Sequence, residues 1–225
     1  MTTNPLTKIL SSAEAVLFDF DGPICSLFDG YPAPQITREL LELAYQIRGD
    51  LRPGLEQASS PHELLLAAAG DLGLARQLEA ALQKAELAAT ETARPTPGAA
   101  ESVAACAASG RLTAIVSNNY AEAVVAYLSQ VGLSGQVAHI EGRNPADPTL
   151  MKPDPHLIER AIRTLGISAT SCVFVGDQTT DITAGRAAGV PTIGYANKPG
   201  KSEAFEAAGA DAILISMFDL AAAIH

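Results

Sequence analysis

The sequence is poor in aromatic and charged residues. It contains no tryptophan, aromatic residues make up 5% of its 225 residues, and charged residues make up 18%. So low a charged fraction, beside 48% hydrophobic residues, excludes a typical disordered chain and is enough to bury a large core. Alanine is plentiful, and together with the 18 glycines and 14 prolines it suits a helix-rich α/β protein with many tight turns.

Signals for membranes and for secretion are also lacking. No apolar run reaches the roughly 18 residues that a membrane-spanning helix needs. The first residues show no charged segment followed by an apolar one, so we expect no signal peptide. The three cysteines, Cys25, Cys106 and Cys172, are scattered without CxxC spacing, which excludes a disulfide framework or a common zinc site. We therefore expect a cytoplasmic protein with no membrane partner.

Positive charge is in short supply, and the net charge is −10. A protein that binds a phosphate backbone needs a basic face, so we expect no nucleic acid partner. The same charge repels small anions at long range. A phosphorylated substrate would therefore need local positive charge, from a metal ion and a lysine, to outweigh that field.

Hydrophobic periodicity divides the chain into two kinds of sequence. Residues 24–96 carry helical patterns and no convincing strand, which predicts an all-helical insert closed by the proline-rich segment 94–98. The remainder, residues 1–23 and 97–225, reads as strands alternating with helices. This alternation predicts an α/β fold with a doubly wound parallel sheet and helices on both faces. The predicted strands are 13–20, 112–116, 136–140, 172–175, 191–195 and 212–215.

Polar side chains of types common in active sites lie close to the ends of these strands, and a lysine that precedes the helix predicted from residue 155 joins them. They are two pairs of aspartates, a serine and a lysine: Asp19, Asp21, Asp177, Asp181, Ser117 and Lys152. Ligands of such sheets bind beyond the carboxyl ends of the strands, where these residues should gather. Carboxylates are ligands for magnesium and can also attack phosphorus, while a hydroxyl and a lysine can hold phosphate oxygens. The set predicts phosphoryl transfer.

Four motifs carry a resemblance to a known family. They are DFDG at 19–22, VSNN at 116–119, KPDP at 152–155 and GDQTTD at 176–181. With these motifs in this order, the chain resembles the haloacid dehalogenase-like hydrolase superfamily over essentially its whole length. The resemblance implies a Rossmann-like core at 1–23 and 97–225, with residues 24–96 as a helical cap inserted after the first motif.

The resemblance also implies roles for the acidic residues. Asp19 falls on the nucleophile, which also ligates magnesium. Asp21 falls on the general acid and base, whose backbone carbonyl is the usual second protein ligand of the metal. Asp177 falls on the acidic metal ligand, and Asp181 on a supporting acid that reaches the metal directly or through water. Gly22, in the first motif, is a further supporting residue.

The phosphate itself is assigned to the other two motifs. Ser117 falls on the phosphate-binding hydroxyl, Asn118 follows it in the same loop, and Lys152 falls on the lysine that neutralises nucleophile and phosphate. Two positions depart from the family pattern, Pro23 and Gln178, and neither removes a catalytic group. The four histidines show no metal-ligand spacing, and we expect surface or capping roles for them.

The expected function is a magnesium-dependent phosphatase that acts on a small phosphorylated metabolite. Dehalogenases of this superfamily lack the second aspartate, so Asp21 favours phosphoryl transfer over cleavage of a carbon–halogen bond. A phosphomutase acting on a sugar phosphate, or a catalytically silent binding protein, stays open as an alternative. A phosphoglycolate-like, sugar or nucleotide monophosphate substrate would each be consistent with the sequence.

Overall fold

A computed structural model describes residues 5–51 and 53–224 of the chain. Six strands of this part form one parallel sheet in the order β5-β4-β1-β6-β7-β8, and two more form a separate antiparallel pair, β2 with β3. The strands are β1 (Ala15–Phe18), β2 (Cys25–Ser26), β3 (Arg94–Pro95), β4 (Leu112–Val116), β5 (His139–Glu141), β6 (Cys172–Gly176), β7 (Thr192–Tyr195) and β8 (Ala212–Leu214). The predicted α/β fold with a doubly wound sheet is confirmed.

Helices connect the strands and also fill the insert, residues 24–96. They are α1 (Pro5–Ser11), α2 (Ala33–Arg48), α3 (Pro53–Glu56), α4 (Pro61–Ala68), α5 (Leu72–Thr90), α6 (Ala99–Ala108), α7 (Ala121–Gln130), α8 (His156–Leu165), α9 (Thr179–Ala187), α10 (Lys201–Ala208) and α11 (Met217–Ala223). Among the described residues, no helix is both long enough and apolar enough to cross a membrane.

The central strand β1 shows why the sheet is covered on both faces. Its four residues are all buried, and successive side chains point to opposite faces. Val16 and Phe18 join the cluster formed with α1, α6, α7 and α11, whereas Ala15 and Leu17 join the cluster formed with α8 and α9. A continuous apolar run is what a parallel strand between two helical layers requires.

The insert has a hydrophobic cluster of its own. Side chains of α2, α3, α4 and α5 pack on one another, and Met151 of the core joins them. Helix α4 begins with a capping serine and a proline: Ser60 accepts a hydrogen bond from the amide of Glu63, and Pro61 occupies the first turn.

The expectation that no strand lies within the insert needs a correction at both of its ends. Cys25–Ser26 and Arg94–Pro95 pair antiparallel, so the insert joins the core through a two-stranded ribbon. Each strand has only two residues, too few to produce a recognisable alternation. The strand expected at 136–140 is likewise displaced to His139–Glu141, because residues 134–136 form a 3-10 turn after α7.

The strand order places the candidate site. From β1 the sheet runs to β4 and β5 on one side and to β6, β7 and β8 on the other. Beside β1 the connections therefore diverge and leave a crevice at the carboxyl ends of the strands, where α/β sheets bind ligands. Asp19 is the first residue after β1 and lies at that crevice.

Candidate active site

Three aspartates meet at the crevice. Carboxylate oxygens of Asp19, Asp177 and Asp181 lie within 4.8 Å of one another, and all three residues are buried. They come from the end of β1, the end of β6 and the first turn of α9. Gathering three carboxylates in a site with little water is unfavourable unless positive charge compensates them.

Lys152 supplies part of that compensation. Its buried Nζ lies 2.7 Å from Asp19 Oδ1 and 2.7 Å from Asp181 Oδ1, and it donates to the carbonyl of Val116 at 3.1 Å. Burial alone would lower the pKa of Lys152, but the carboxylates of Asp181 and Asp19 outweigh that effect and raise it. Lys152 is therefore a firmly protonated ammonium group.

Two lysines stand beside the three acids, Lys152 and Lys201, the second of which contacts Asp177. Burial, followed by the charges of Asp181 and Asp177, raises the pKa of Asp19 to about 8 in spite of the opposing effect of Lys152. When all three acids are ionised, the group has one negative charge more than its two lysines balance, and its donor atoms are oxygens. Those are the properties that a hard divalent cation requires, and the residues present fit such a cation.

Asp21 lies apart from the three-carboxylate group. Its Oδ1 accepts a hydrogen bond from the amide of Leu27 at 2.8 Å. Burial raises the pKa of Asp21 to about 6, with the Leu27 hydrogen bond opposing the shift and the charge of Asp177 adding to it. A carboxyl group with a pKa near neutrality can both give and take a proton, as a general acid and base must.

Gly22 allows the loop after Asp21 to approach Asp177 closely. Its φ is +125°, a conformation that strongly favours glycine, and a Cβ built there would lie 2.4 Å from Cγ of Asp177. The carbonyl of Gly22 also accepts a hydrogen bond from Thr96 Oγ1 at 2.5 Å, which ties this loop to the base of the insert.

Gly22→Ala should therefore damage both stability and the acidic site. We expect a loss of about 1–3 kcal/mol in the free energy of unfolding, because the new methyl group meets a carboxylate and the backbone is strained. Urea unfolding measures this loss. Gly135→Ala is the matched control, because no atom lies within 4 Å of a Cβ at Gly135 and its φ is not positive. Equal stability of the two variants would contradict the close approach of Gly22 to Asp177.

The loop after β4 is held by internal hydrogen bonds. Ser117 Oγ donates to Asn119 Oδ1 at 2.9 Å and accepts from the amide of Asn119 at 3.1 Å. The side chain of Asn118 makes two hydrogen bonds with the main chain of Lys152. It accepts from the amide at 2.8 Å and donates to the carbonyl at 3.1 Å. The side-chain amide of Asn118 thus holds the lysine loop in place.

Sequence reasoning missed two residues that hold Asp177. Lys201 Nζ donates to Asp177 Oδ2 at 2.6 Å and to its carbonyl at 2.5 Å, and Asn197 Nδ2 donates to Oδ2 at 3.2 Å. Both follow β7, the neighbouring strand of the sheet. Their position after a strand end was the one signal available, and no motif covered them. Partners of this kind fix the orientation of a carboxylate that ligates a metal.

A cavity of about 450 Å³ opens at the crevice, beside the motif residues. Core residues of its wall include Asp19, Asp21 and Lys152, and the insert contributes Phe28, His62 and Leu66. The expectation of a surface or capping role is wrong for His62, whose side chain lines this cavity and lies 3.4 Å from the buried carboxylate of Glu86. The error arose because the position of α4 over the core depends on tertiary packing. His225 lies outside the described residues.

Comparisons with known proteins find similar sequences and similar folds. A family model described as haloacid dehalogenase-like hydrolase matches residues 13–189. A phosphoglycolate phosphatase from Mesorhizobium japonicum is 36% identical over 100 residues, which cover 44% of this chain and 43% of that protein. The chain spans about half the length of the curated relatives it matches.

Two solved structures share the fold. CbbY from Rhodobacter sphaeroides, in complex with phosphate, is 20% identical with a TM-score of 0.68 and covers 94% of this chain and 99% of that one. A HAD family hydrolase from Deinococcus radiodurans, with bound phosphate and sodium, is 26% identical with a TM-score of 0.60 and covers 95% and 98%.

Proposed function

The chain belongs to the haloacid dehalogenase-like hydrolase family, and from that premise we propose that it is a magnesium-dependent phosphatase of a small phosphorylated metabolite. The observation that carries the proposal is the buried group of Asp19, Asp177 and Asp181 with Lys152 Nζ 2.7 Å from Asp19. Such a group combines a nucleophile, a cation site and a fixed positive charge, which together meet the main demands of phosphoryl transfer.

In the first step, a carboxylate oxygen of Asp19 attacks phosphorus and the bond from phosphorus to the leaving oxygen breaks. Asp21, in its protonated form, gives its proton to that oxygen. In the second step, Asp21 takes a proton from water as the water oxygen attacks phosphorus. The bond from phosphorus to Asp19 then breaks and inorganic phosphate leaves. The pKa of about 6 for Asp21 suits both of its roles.

The residues that would hold magnesium are Asp19 and Asp177 through their carboxylates and Asp21 through its main-chain carbonyl. Asp181 supports them from the same buried group. When bound, the ion neutralises negative charge on the transferred phosphoryl group. Lys201 and Asn197 keep Asp177 Oδ2 oriented for this task.

Phosphate oxygens are assigned to the hydroxyl of Ser117, the ammonium of Lys152 and Asn118. Because the side chain of Asn118 is committed to the main chain of Lys152, its contribution would come from its own amide N–H. Donors of this kind, already fixed in place, stabilise charge that develops during the reaction.

We further propose that residues 24–96 form a cap over the site, and that phosphoglycolate is the first substrate to test. Helices α2 to α5 have their own hydrophobic cluster, and their residues complete the wall of the cavity. Several curated relatives are named phosphoglycolate phosphatase. Among the described residues that line the cavity, His62 is the basic side chain offered by the insert, and it could meet a small anionic leaving group.

A cytoplasmic location is part of the proposal. All three cysteines are free thiols and all are buried. Free thiols without disulfides are the usual state in a reducing compartment.

Phosphate release is the test of this function. We expect the purified protein to release phosphate from phosphoglycolate or another small ester in a metabolite panel, and to stop when EDTA removes the divalent metal. A well-folded protein that turns over no ester would contradict the proposal. A sugar phosphate that changes isomer without releasing phosphate would instead identify a phosphomutase.

A further inference from the structure

A buried ion cluster joins the insert to the core beside the phosphate-binding loop. Arg143, which follows β5, is 3% exposed and lies between two glutamates of α5. Its Nε and Nη2 donate to Glu79 at 2.9 and 3.0 Å, and its Nη1 and Nη2 donate to Glu86 at 3.0 Å each. Sequence patterns gave no sign of this cluster, because its members lie 57 and 64 residues apart.

Glu86 is ionised in this cluster. Burial alone would raise its pKa, but Arg143, with a smaller effect of His62, lowers the pKa of Glu86 to about 2. An ionised carboxylate can only accept hydrogen bonds. Every group that touches Glu86 closely must therefore present a donor to it.

This requirement fixes the orientation of Asn119. Asn119 Nδ2 donates to Glu86 Oε1 at 2.9 Å, and the amide of Tyr120 donates to Glu86 Oε2 at 3.0 Å. With the NH₂ group turned to Glu86, the carbonyl oxygen of the Asn119 side chain faces Ser117 Oγ, which donates to it at 2.9 Å. The position of the Ser117 hydroxyl thus depends on a carboxylate that the insert supplies.

Arg143 adds a second connection to the same loop. Its Nη1 donates to the main-chain carbonyl of Asn118 at 2.6 Å. Asn118 in turn holds the main chain of Lys152. The ion cluster is therefore connected to both phosphate-binding residues through one residue each. Asn119 connects Glu86 to Ser117. Asn118 connects Arg143 to the main chain of Lys152.

We propose that Glu86 is a positioning residue for phosphate binding, which orients Ser117 through Asn119 and completes the phosphate-binding loop only when the insert is docked on the core. This inference rests on the proposed function, since it gives Glu86 a part in binding the phosphate group of that same reaction. It identifies a requirement that the core alone does not meet, because the carboxylate comes from α5.

Glu79 provides a matched control on the same helix. It is buried and shares Arg143 with Glu86, but its other side-chain hydrogen bond is with Gln83, and it makes none with the loop at 117–120. Glu79→Gln and Glu86→Gln each place an NH₂ group against donors of Arg143. A role confined to holding Arg143 would therefore make the two variants behave alike.

The test compares both variants with the wild type, using inorganic phosphate with magnesium as the probe. Calorimetry gives phosphate affinity, steady-state kinetics separates kcat from KM, and thermal unfolding gives stability. We expect a loss of stability in both variants, larger in Glu86→Gln because Glu86 also accepts from Asn119 and Tyr120. Phosphate affinity should fall roughly 10- to 100-fold in Glu86→Gln, with a matching rise in KM, and change by less than about 3-fold in Glu79→Gln.

Asn119→Ala keeps the inference testable if Glu86→Gln fails to fold, because it leaves the contacts of Arg143 with both glutamates in place. It should weaken phosphate binding as strongly as Glu86→Gln. Unchanged phosphate affinity in Asn119→Ala, or equal losses in Glu79→Gln and Glu86→Gln, with an active wild type, would overturn the inference alone. A wild type that neither binds phosphate nor releases it from esters would overturn the proposed function and the inference together.

Discussion

Asp19→Asn is expected to lower kcat by at least about four orders of magnitude while the protein stays folded. An amide is a very poor nucleophile toward phosphorus, so the variant lacks the group to which the attack is assigned. The measurement is phosphate release at saturating substrate, beside thermal unfolding of the same preparations.

Stability separates loss of chemistry from loss of structure in this variant. Burial and two neighbouring carboxylates raise the pKa of Asp19, so its ionised form is unfavourable in the folded protein without magnesium. A neutral Asn should leave the melting temperature equal or higher. Asp211→Asn makes the same chemical change just before β8, where Asp211 accepts from the amide of Thr192 at the start of β7, and should keep full activity. Activity retained in Asp19→Asn would rule out this nucleophile.

Asp21→Asn should lower kcat/KM roughly 10²- to 10⁴-fold for an alkyl phosphate and much less for p-nitrophenyl phosphate. An alkoxide needs a proton as it leaves, whereas nitrophenolate is stable without one. The structural change is small, because the Asn carbonyl oxygen can still accept from the amide of Leu27. Initial rates with both esters measure the difference.

Loss of Asp21 should also slow the second step, because the same carboxylate activates water. With p-nitrophenyl phosphate, the variant should then show a burst of nitrophenol followed by slow turnover, as the phosphorylated enzyme accumulates. Equal losses of kcat/KM for the two esters would contradict a proton-donating role for Asp21. The proton would then have to come from another group.

The acidic part of the site could be predicted because parallel sheets have a simple geometry. Asp19 and Asp177 each follow a buried apolar strand, and the carboxyl ends of neighbouring parallel strands meet at one edge. Asp181 is one turn into the helix after β6, so it lies near them. A short apolar run followed by a carboxylate was enough to find these residues.

The connections between insert and core could not be predicted in the same way. Glu86 and Glu79 face inward on α5 because of how that helix packs on the core. No sequence pattern near them indicates that Arg143 is their partner. Lys201 and Asn197 reach Asp177 because β7 lies beside β6. Such contacts depend on strand order and helix docking, which are properties of the whole fold.

A phosphoryl group trapped on Asp19 tests the account most directly. Wild-type protein mixed with magnesium and its ester, then quenched in acid during turnover, should carry one phosphoryl group on the peptide that contains Asp19. With p-nitrophenyl phosphate as the ester, Asp21→Asn should carry more of it than the wild type, and Asp19→Asn none. Rapid turnover with no phosphorylated peptide, or a phosphoryl group on another residue, would contradict nucleophilic attack by Asp19.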